Sequence, residues 1–367
     1  MTYYHCSPVH GMTVLEPGKP KAFDKPAGVY LTTLLPMALM YGVRNFEYSY
    51  GYTREGQIYY EEYFPNALEE LYRGKQASLY KCAPKTVTTT AIPNEVVSEA
   101  SVTVLEEIVI EDVCEALLEQ ERLGTLVIHR HEHLSPRMLE WIKNAEAEEI
   151  RRRNLIQLGG PMAGYIREHY PKSWELVEEE ERRLYYHGTA VSGLMHLEPR
   201  SERDGERVLY LSGSFVYALL YLWDGEKTGR AKKWVTGWLE KGVTYYEEQF
   251  PDQLRAFYSG VRGCVYCVDP AGAEPVADRE RMALIRERIP VQKVIEVEDV
   301  YALLMEQEAA GRFQLLRFED RTVEKQQELS TRIADYIRQQ GLIGWEDGES
   351  RFFRRYFSQA WAEAARY

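Results

Sequence analysis

Paired carboxylates stand twice in the chain in the same setting. Tyr59-Tyr60-Glu61-Glu62, followed by Phe64-Pro65, returns as Tyr245-Tyr246-Glu247-Glu248 followed by Phe250-Pro251, 186 positions later (251 − 65). Adjacent carboxylates can do general acid–base work, which makes Glu248 a candidate catalytic residue. The same position, just ahead of a helix starting at Pro65 or Pro251, suits support of a helix N-terminus equally well. His129-Arg130-His131-Glu132-His133 sets three imidazoles at a period of two, one face of a strand, and imidazole is a common metal ligand. Cys264-x-x-Cys267 has the spacing of a redox motif or half a zinc site, but no second half follows it.

These motifs can be weighed because the chain is written twice. Tyr4-His5 and Leu15-Glu16-Pro17 reappear as Tyr186-His187 and Leu197-Glu198-Pro199, 182 positions later (187 − 5). Glu111-Asp112-Val113 returns as Glu298-Asp299-Val300 and Trp174 as Trp361, both at 187. The offset drifts by five residues (187 − 182), so two domains of about 180 residues are expected, 1–183 and 184–367, each large enough to bury its own core. One copy then controls for the other. The counterpart of the histidine run is Leu316-Arg317-Phe318-Glu319-Asp320, where two of the three imidazole positions are apolar, so no metal is expected. None of the five cysteines is repeated either, so no disulfide belongs to the shared fold and a reduced, cytoplasmic setting is expected.

Composition narrows the function classes. Fifty-seven acidic residues against 45 basic ones leave a net charge of −12, a field that repels phosphate backbones and makes nucleic acid an unlikely partner. The N-terminus lacks the basic start and apolar run of a signal segment. The most apolar stretches, Val29–Val43 and Val208–Trp223, fall short of the roughly 20 residues a membrane span needs, so no membrane association is expected.

Within each copy the periodicity predicts a strand (Tyr3–Cys6, Tyr185–Gly188), a second strand (Val29–Thr32, Val208–Leu211) and a short helix (Met37–Tyr41, Phe215–Leu222). An alternating aromatic segment follows, Phe46 to Tyr52 or Trp234 to Trp238, with Gly56 or Gly242 at a hairpin tip. A helix, a strand and an irregular segment come next, the last at Pro84–Glu99 or Asp269–Arg281. Then come a strand at Glu107–Ile110 or Lys293–Val297 and a helix capped by Asp112 or Asp299. Two amphipathic helices close each copy, about Pro136–Arg153 and Met162–Arg183, or Thr322–Gln340 and Ser350–Ala365. Strands and helices do not alternate steadily, so the predicted class is α+β.

The opening of each copy carries a resemblance. The second reads Tyr186-His187-Gly188-Thr189, then Leu209-Tyr210-Leu211 and Ala218-x-x-Tyr221; the first reads Tyr4-His5-Cys6-Ser7, then Gly28-Val29-Tyr30-Leu31-Thr32 and Ala38-x-x-Tyr41. This resembles the ADP-ribosyltransferase superfamily, in the His-Tyr-Glu branch that includes the poly(ADP-ribose) polymerases. The resemblance implies two tandem ADP-ribosyltransferase-like domains, each with added C-terminal helices, that take NAD as substrate and transfer ADP-ribose. It implies that His187 and His5 bond a ribose hydroxyl, that Gly188 and Thr189 let the ligand approach the strand, and that Tyr210, Tyr30 and Tyr221 lie against nicotinamide. A carboxylate should stand at the start of a late strand to stabilise the oxocarbenium charge. Glu107 or Glu111 in the first copy and Glu296 or Glu298 in the second are the candidates. Glu111 and Glu298 also suit a helix start.

Because Cys6 replaces the glycine of the motif, the second copy is expected to be the better nucleotide site. Against this, Arg207 stands where Gly28 precedes the first copy's tyrosine strand, a departure that weighs less because an arginine there can attract a pyrophosphate. The alternative is an inactive protein-interaction module of the same fold. The partner in either case is a protein, as acceptor or as binding partner. RNA 2′-phosphotransfer, known among relatives of that fold, suits the acidic charge poorly.

Overall fold

The computed structural model describes residues 2–19, 25–222, 236–277, 279–346 and 348–366. Trp234, which opens the alternating segment of the second copy, lies outside them. The fold is mixed, with 37% helix and 27% strand, and its strands pair mostly antiparallel, so it is α+β. Contacts divide the chain into two compact units, Met1–Ala145 and Glu146–Tyr367. Residues 146–183, at the end of the first copy in sequence, thus cluster with the second unit.

In the first unit, β1 (Tyr3–Ser7), β2 (Val14–Leu15) and β3 (Val29–Thr32) lead into α1 (Leu35–Tyr41). The hairpin β4 (Tyr50–Tyr52) and β5 (Ile58–Glu61) is followed by α2 (Ala67–Tyr72) and β6 (Ala77–Ala83). Next come β7 (Thr88–Thr89), β8 (Glu95–Ser98), β9 (Val102–Ile110), α3 (Val113–Arg122) and β10 (Val127–His129). The main sheet runs β2-β9-β6-β1-β3-β8-β7, and a smaller one runs β10-β5-β4.

Helix α4 (Pro136–Arg152) is followed by α5 (Leu155–Leu158), α6 (Pro161–His169) and α7 (Pro171–Glu181). The second unit continues with β11 (Tyr185–Thr189), β12 (His196–Leu197), β13 (Ser201–Arg203), β14 (Glu206–Ser212), α8 (Phe215–Leu219), β15 (Gly237–Glu240) and β16 (Val243–Glu247). Then come α9 (Gln253–Tyr258), β17 (Gly263–Val268), β18 (Glu274–Pro275), β19 (Met282–Ile285), β20 (Ile289–Pro290), β21 (Lys293–Val297), α10 (Val300–Ala309) and β22 (Phe313–Leu316). Helices α11 (Val323–Gln339), α12 (Gly348–Tyr356) and α13 (Ser358–Ala364) end the chain. Its main sheet runs β18-β19-β14-β11-β17-β21, which is the order β7-β8-β3-β1-β6-β9 of the first unit with equivalent strands substituted. Registers repeat as well: Tyr4 faces Thr32 as Tyr186 faces Ser212, and His5 faces Tyr80 as His187 faces Tyr266.

Local chemistry explains much of this. Asp112 and Asp299 accept the amides of Glu115 and Ala302 at 3.1 and 3.0 Å, capping α3 and α10. Gly56 and Gly242 turn the hairpins at φ of +82° and +81°, open to glycine at no steric penalty. Tyr60 and Tyr246, with Tyr72 and Tyr258, are buried edge-to-face pairs in equivalent cores.

Several expectations are corrected. Pro65 and Pro251 precede the helices by a turn instead of opening them, because Asn66 and Asp252 take left-handed conformations first. The helix expected over Met162–Arg183 is two, α6 and α7, broken at Tyr170; the matching break between α12 and α13 falls at Phe357. Pro171 follows the first break, but nothing like it follows the second, and both aromatic hinges are buried at nearly equal dihedrals (φ −126°; ψ 53° and 48°). Anchoring of the ring in the core therefore sets the break. The largest correction is at Pro84–Glu99: this irregular-looking segment supplies β8, which pairs directly with β3. Asn94, at φ +62°, turns the chain into it, as Arg281, at φ +46°, does ahead of β19.

Candidate functional site

The two repeated histidines sit where a sheet opens. β1 and β3 share only one ladder pair, Tyr4 with Thr32, and β11 and β14 share only Tyr186 with Ser212. One residue further on, the imidazole takes over from the ladder: His5 Nδ1 lies 3.1 Å from the Tyr30 carbonyl, and His187 Nδ1 lies 3.1 Å from that of Tyr210. A carbonyl only accepts, so Nδ1 carries the proton and Nε2 of the neutral ring is left as an acceptor. Burial holds both imidazoles below the ordinary histidine value, which keeps them neutral at pH 7.

Two further tyrosines belong to this arrangement. Tyr80 and Tyr266 face the histidines across the ladder, donate to the carbonyls of Val9 and Val191 at 2.7 and 2.9 Å, and so tie down the loop after the histidine strand. Their repeat at an offset of 186 (266 − 80) was legible in the sequence but sits in a strand that reads as ordinary core.

A buried carboxylate, Glu95, stands next to the tyrosine strand. It is the first residue of β8, 5% exposed, and faces Thr32, so it shares with Tyr30 the sheet side covered by α1. Around it, the Tyr41 and Tyr50 hydroxyls are 3.0 Å apart, and Tyr52 stands edge-on to Tyr50. The carboxylate bonds Lys25 Nζ at 2.8 and 3.0 Å and accepts from the Thr90 hydroxyl at 2.8 Å. Burial, the Tyr41–Tyr50 bond and the nearby Glu95 charge all hold Tyr41 above the usual phenol value. In the second unit Ser212 faces Met282, so the position of the carboxylate is apolar there. Glu95 escaped the sequence reading because its strand is four residues long and flanked by Pro93-Asn94 and Glu99-Ala100.

The other candidates fall elsewhere. Glu248 is buried and accepts the amides of Leu254 and Phe318 at 2.9 and 3.4 Å; Glu62 does the same for Leu68 and His131. Both hold a helix start against the next segment, and burial raises the Glu248 carboxyl above the carboxylate range. Glu298 is 79% exposed, beyond the end of β21, and pairs with Arg262 at 3.5 Å. Glu296 faces Cys264 on β17, on the His187 side of the sheet and one strand beyond Tyr266's row. Glu107 faces Tyr80 and accepts from Ser78, Tyr80 and the Gly11 amide at 2.6, 3.1 and 2.9 Å; these donors keep it below the carboxylate range. Glu111 accepts from Gln76 at 2.7 Å at the far end of β9.

Thr189 and Ser7 spend their hydroxyls on local turns, accepting the amides of Val191 and Val9. Tyr221 keeps its equivalence to Tyr41 but pairs with Tyr217, their hydroxyls 3.5 Å apart. Arg207 faces Glu202 on β13, and the register makes Val208, not Arg207, the equivalent of Gly28.

Gly188 has a different reason for being glycine. A Cβ there would lie 2.1 Å from the Ala218 carbonyl and 3.5 Å from the Leu222 side chain, so the missing methyl admits helix α8. In the first unit the exchange is reversed: Cys6 carries the side chain, and Gly42, equivalent to Leu222, yields to its sulfur, which a Cβ would meet at 2.6 Å. The glycine is explained by helix packing, which removes the ground for ranking the second unit first.

His129 stacks on Tyr59 with centroids 4.6 Å apart, and His131 bonds the Glu62 carbonyl. Among the described residues no group of three or more histidines, cysteines or carboxylates could hold a metal. Cys264 and Cys267 fall in two different core clusters. No described helix is long and apolar enough to cross a membrane. Comparison with protein-family models, with curated proteins and with solved structures returns no match.

Proposed function

We propose that the chain is a tandem pair of ADP-ribosyltransferase-like domains, that both bind an NAD-like dinucleotide beside the repeated histidine, and that only the first transfers ADP-ribose. The observation that carries this reading is the opening between the histidine strand and the tyrosine strand, held in both units by the same 3.1 Å imidazole-to-carbonyl bond. It leaves Nε2 ready to accept from a ribose hydroxyl, and among the described residues nothing else bonds it. In the first unit Glu95 meets the remaining requirement, a carboxylate at the start of a strand beside Tyr30. Its charge would stabilise the cation that develops as the nicotinamide–ribose bond breaks, once Lys25 gives up its bond to the carboxylate. Tyr41, Tyr50 and Tyr52 supply aromatic walls for the leaving ring.

In the second unit Met282 offers no charge, which supports a binding role for that unit; a protein is the partner or acceptor we propose for the chain. Incubation with NAD should release nicotinamide, and Glu95→Gln should stop the release while leaving NAD titration intact. No heat of binding from the parent chain with NAD would retire the reading altogether.

A further inference from the structure

The charge on Glu95 is already answered by a cation of the same chain. Lys25 Nζ stands on both carboxylate oxygens, at 2.8 and 3.0 Å, and over the Tyr30 ring, 4.9 Å from its centroid. The lysine side chain is 22% exposed and the carboxylate 5%, so solvent reaches the cation far more than the anion. The backbone holds the lysine in place. Tyr30 donates its hydroxyl to the Pro26 carbonyl at 2.8 Å, and Gly28 exchanges two backbone bonds with Gly18, at 3.0 and 3.3 Å. A Cβ at Gly28 would lie 2.4 Å from the Val97 side chain, so the glycine lets this segment lie against β8.

The second unit lacks both halves of the pair. Counted back from Ser212, the equivalent of Thr32, the position of Lys25 is Gly205, which turns β13 into β14 at φ +81°. The position of Glu95 is Met282. An ammonium over Tyr30 and on Glu95 occupies the place where the proposed function sets the nicotinamide ring and its developing charge. A neutral ring that displaced Lys25 would leave the carboxylate buried with the Thr90 hydroxyl but no counter-charge, and a buried charge stripped of its partner is costly. The oxidised dinucleotide carries a positive charge on its pyridinium ring, and the reduced form is neutral there. Only the oxidised form replaces the charge it removes, and the tyrosine face favours the same sign.

Resting on the dinucleotide reading of the first unit, we infer that Lys25 is a displaceable counter-ion that makes this site select the oxidised, cationic dinucleotide over the reduced one. Binding of the oxidised form exchanges one cation for another at Glu95. Binding of the reduced form breaks the Lys25–Glu95 pair and restores nothing, which is selection by penalty on the wrong ligand. Without the lysine both forms are spared the same loss, so both tighten equally and the preference stays. Without the charge at Glu95 there is no pair to break and no cation to attract. The oxidised form then binds as before, and the reduced form rises to meet it.

The test is isothermal titration with NAD and with NADH at one ionic strength, on the full chain carrying His187→Ala so that the first unit is the site read. NAD should bind about tenfold or more tighter than NADH. Lys25→Met should tighten both by the same factor, and Glu95→Gln should raise NADH to the affinity of NAD. Equal binding of the two forms before either substitution overturns the counter-ion role and leaves the dinucleotide reading standing. So does a preference that survives Glu95→Gln, or tightening of one form alone in Lys25→Met. Glu95→Gln keeps the shape of the side chain, so it decides the matter even where Lys25→Met fails to fold. Binding of neither form, by this chain or by the parent, retires the dinucleotide reading and the counter-ion role with it.

Discussion

Equivalent points in the two units differ in two ways, and the differences are of opposite kinds. At Cys6/Gly42 against Gly188/Leu222, one side chain is exchanged for another across the same strand–helix contact, and the contact is filled in both. At Glu95 against Met282, the exchange is between a buried charge and an apolar side chain. The first is packing compensated within a fold. The second removes a chemical capability. A buried carboxylate is expensive to keep, so its retention with a lysine and a threonine as partners in one unit only marks where chemistry is to be sought.

The comparison breaks most visibly at Glu95. Glu95→Gln should lower nicotinamide release by about a hundredfold or more, the scale of losing one electrostatic stabiliser of a developing charge, while Met282→Gln should leave the rate alone. Equal effects from the two substitutions, measured by chromatography of released nicotinamide, would remove the proposed division of labour.

A smaller effect is expected where the units agree. Glu62→Ala and Glu248→Ala each strand two amides, so either should destabilise its unit by about 1–3 kcal/mol in urea unfolding. Were Glu248 catalytic instead, its replacement would abolish turnover with stability intact. Comparable in size is Gly188→Ala, which forces a methyl against the Ala218 carbonyl and should cost about 1–3 kcal/mol. Adding Leu222→Gly should recover part of that loss, whereas no recovery in the double variant would show that the two positions are not one contact.

The smallest effect is in pH. His5 and His187 have folded values below their unfolded ones, so the unfolded chain binds protons more readily as pH falls below about 6.5. Stability is therefore complete above that pH and declines as pH drops from there toward the folded values. His5→Asn and His187→Asn should each flatten this decline in thermal unfolding between pH 7 and 5; an unchanged slope in both would mean the imidazoles are not the groups titrating.

Much of the scaffold was legible because it is local. Asp112 and Asp299 cap their helices, Gly56 and Gly242 turn hairpins, and the 3.6-residue pattern marks α4 and α11, since each depends on residues within one or two turns of the chain. The repeat itself, in sequence, foretold that Tyr30 and Tyr210, His5 and His187 would hold matching positions.

What no local pattern contains is which strand lies beside which. The pairing of Tyr30 with Val97, and hence the place of Glu95, joins residues some 65 positions apart through a strand too short to show a period. Gly188 reads as a ligand's glycine until a helix carbonyl thirty residues later is found against it. The sequence by itself determined two copies of an α+β unit and the histidine–tyrosine pair in each. Only the tertiary structure decided that one copy alone sets a buried carboxylate, Glu95, beside its tyrosine strand. Long-range pairing and side-chain direction are fixed by packing of the whole sheet, and that information is spread over the chain instead of written at any one stretch of it.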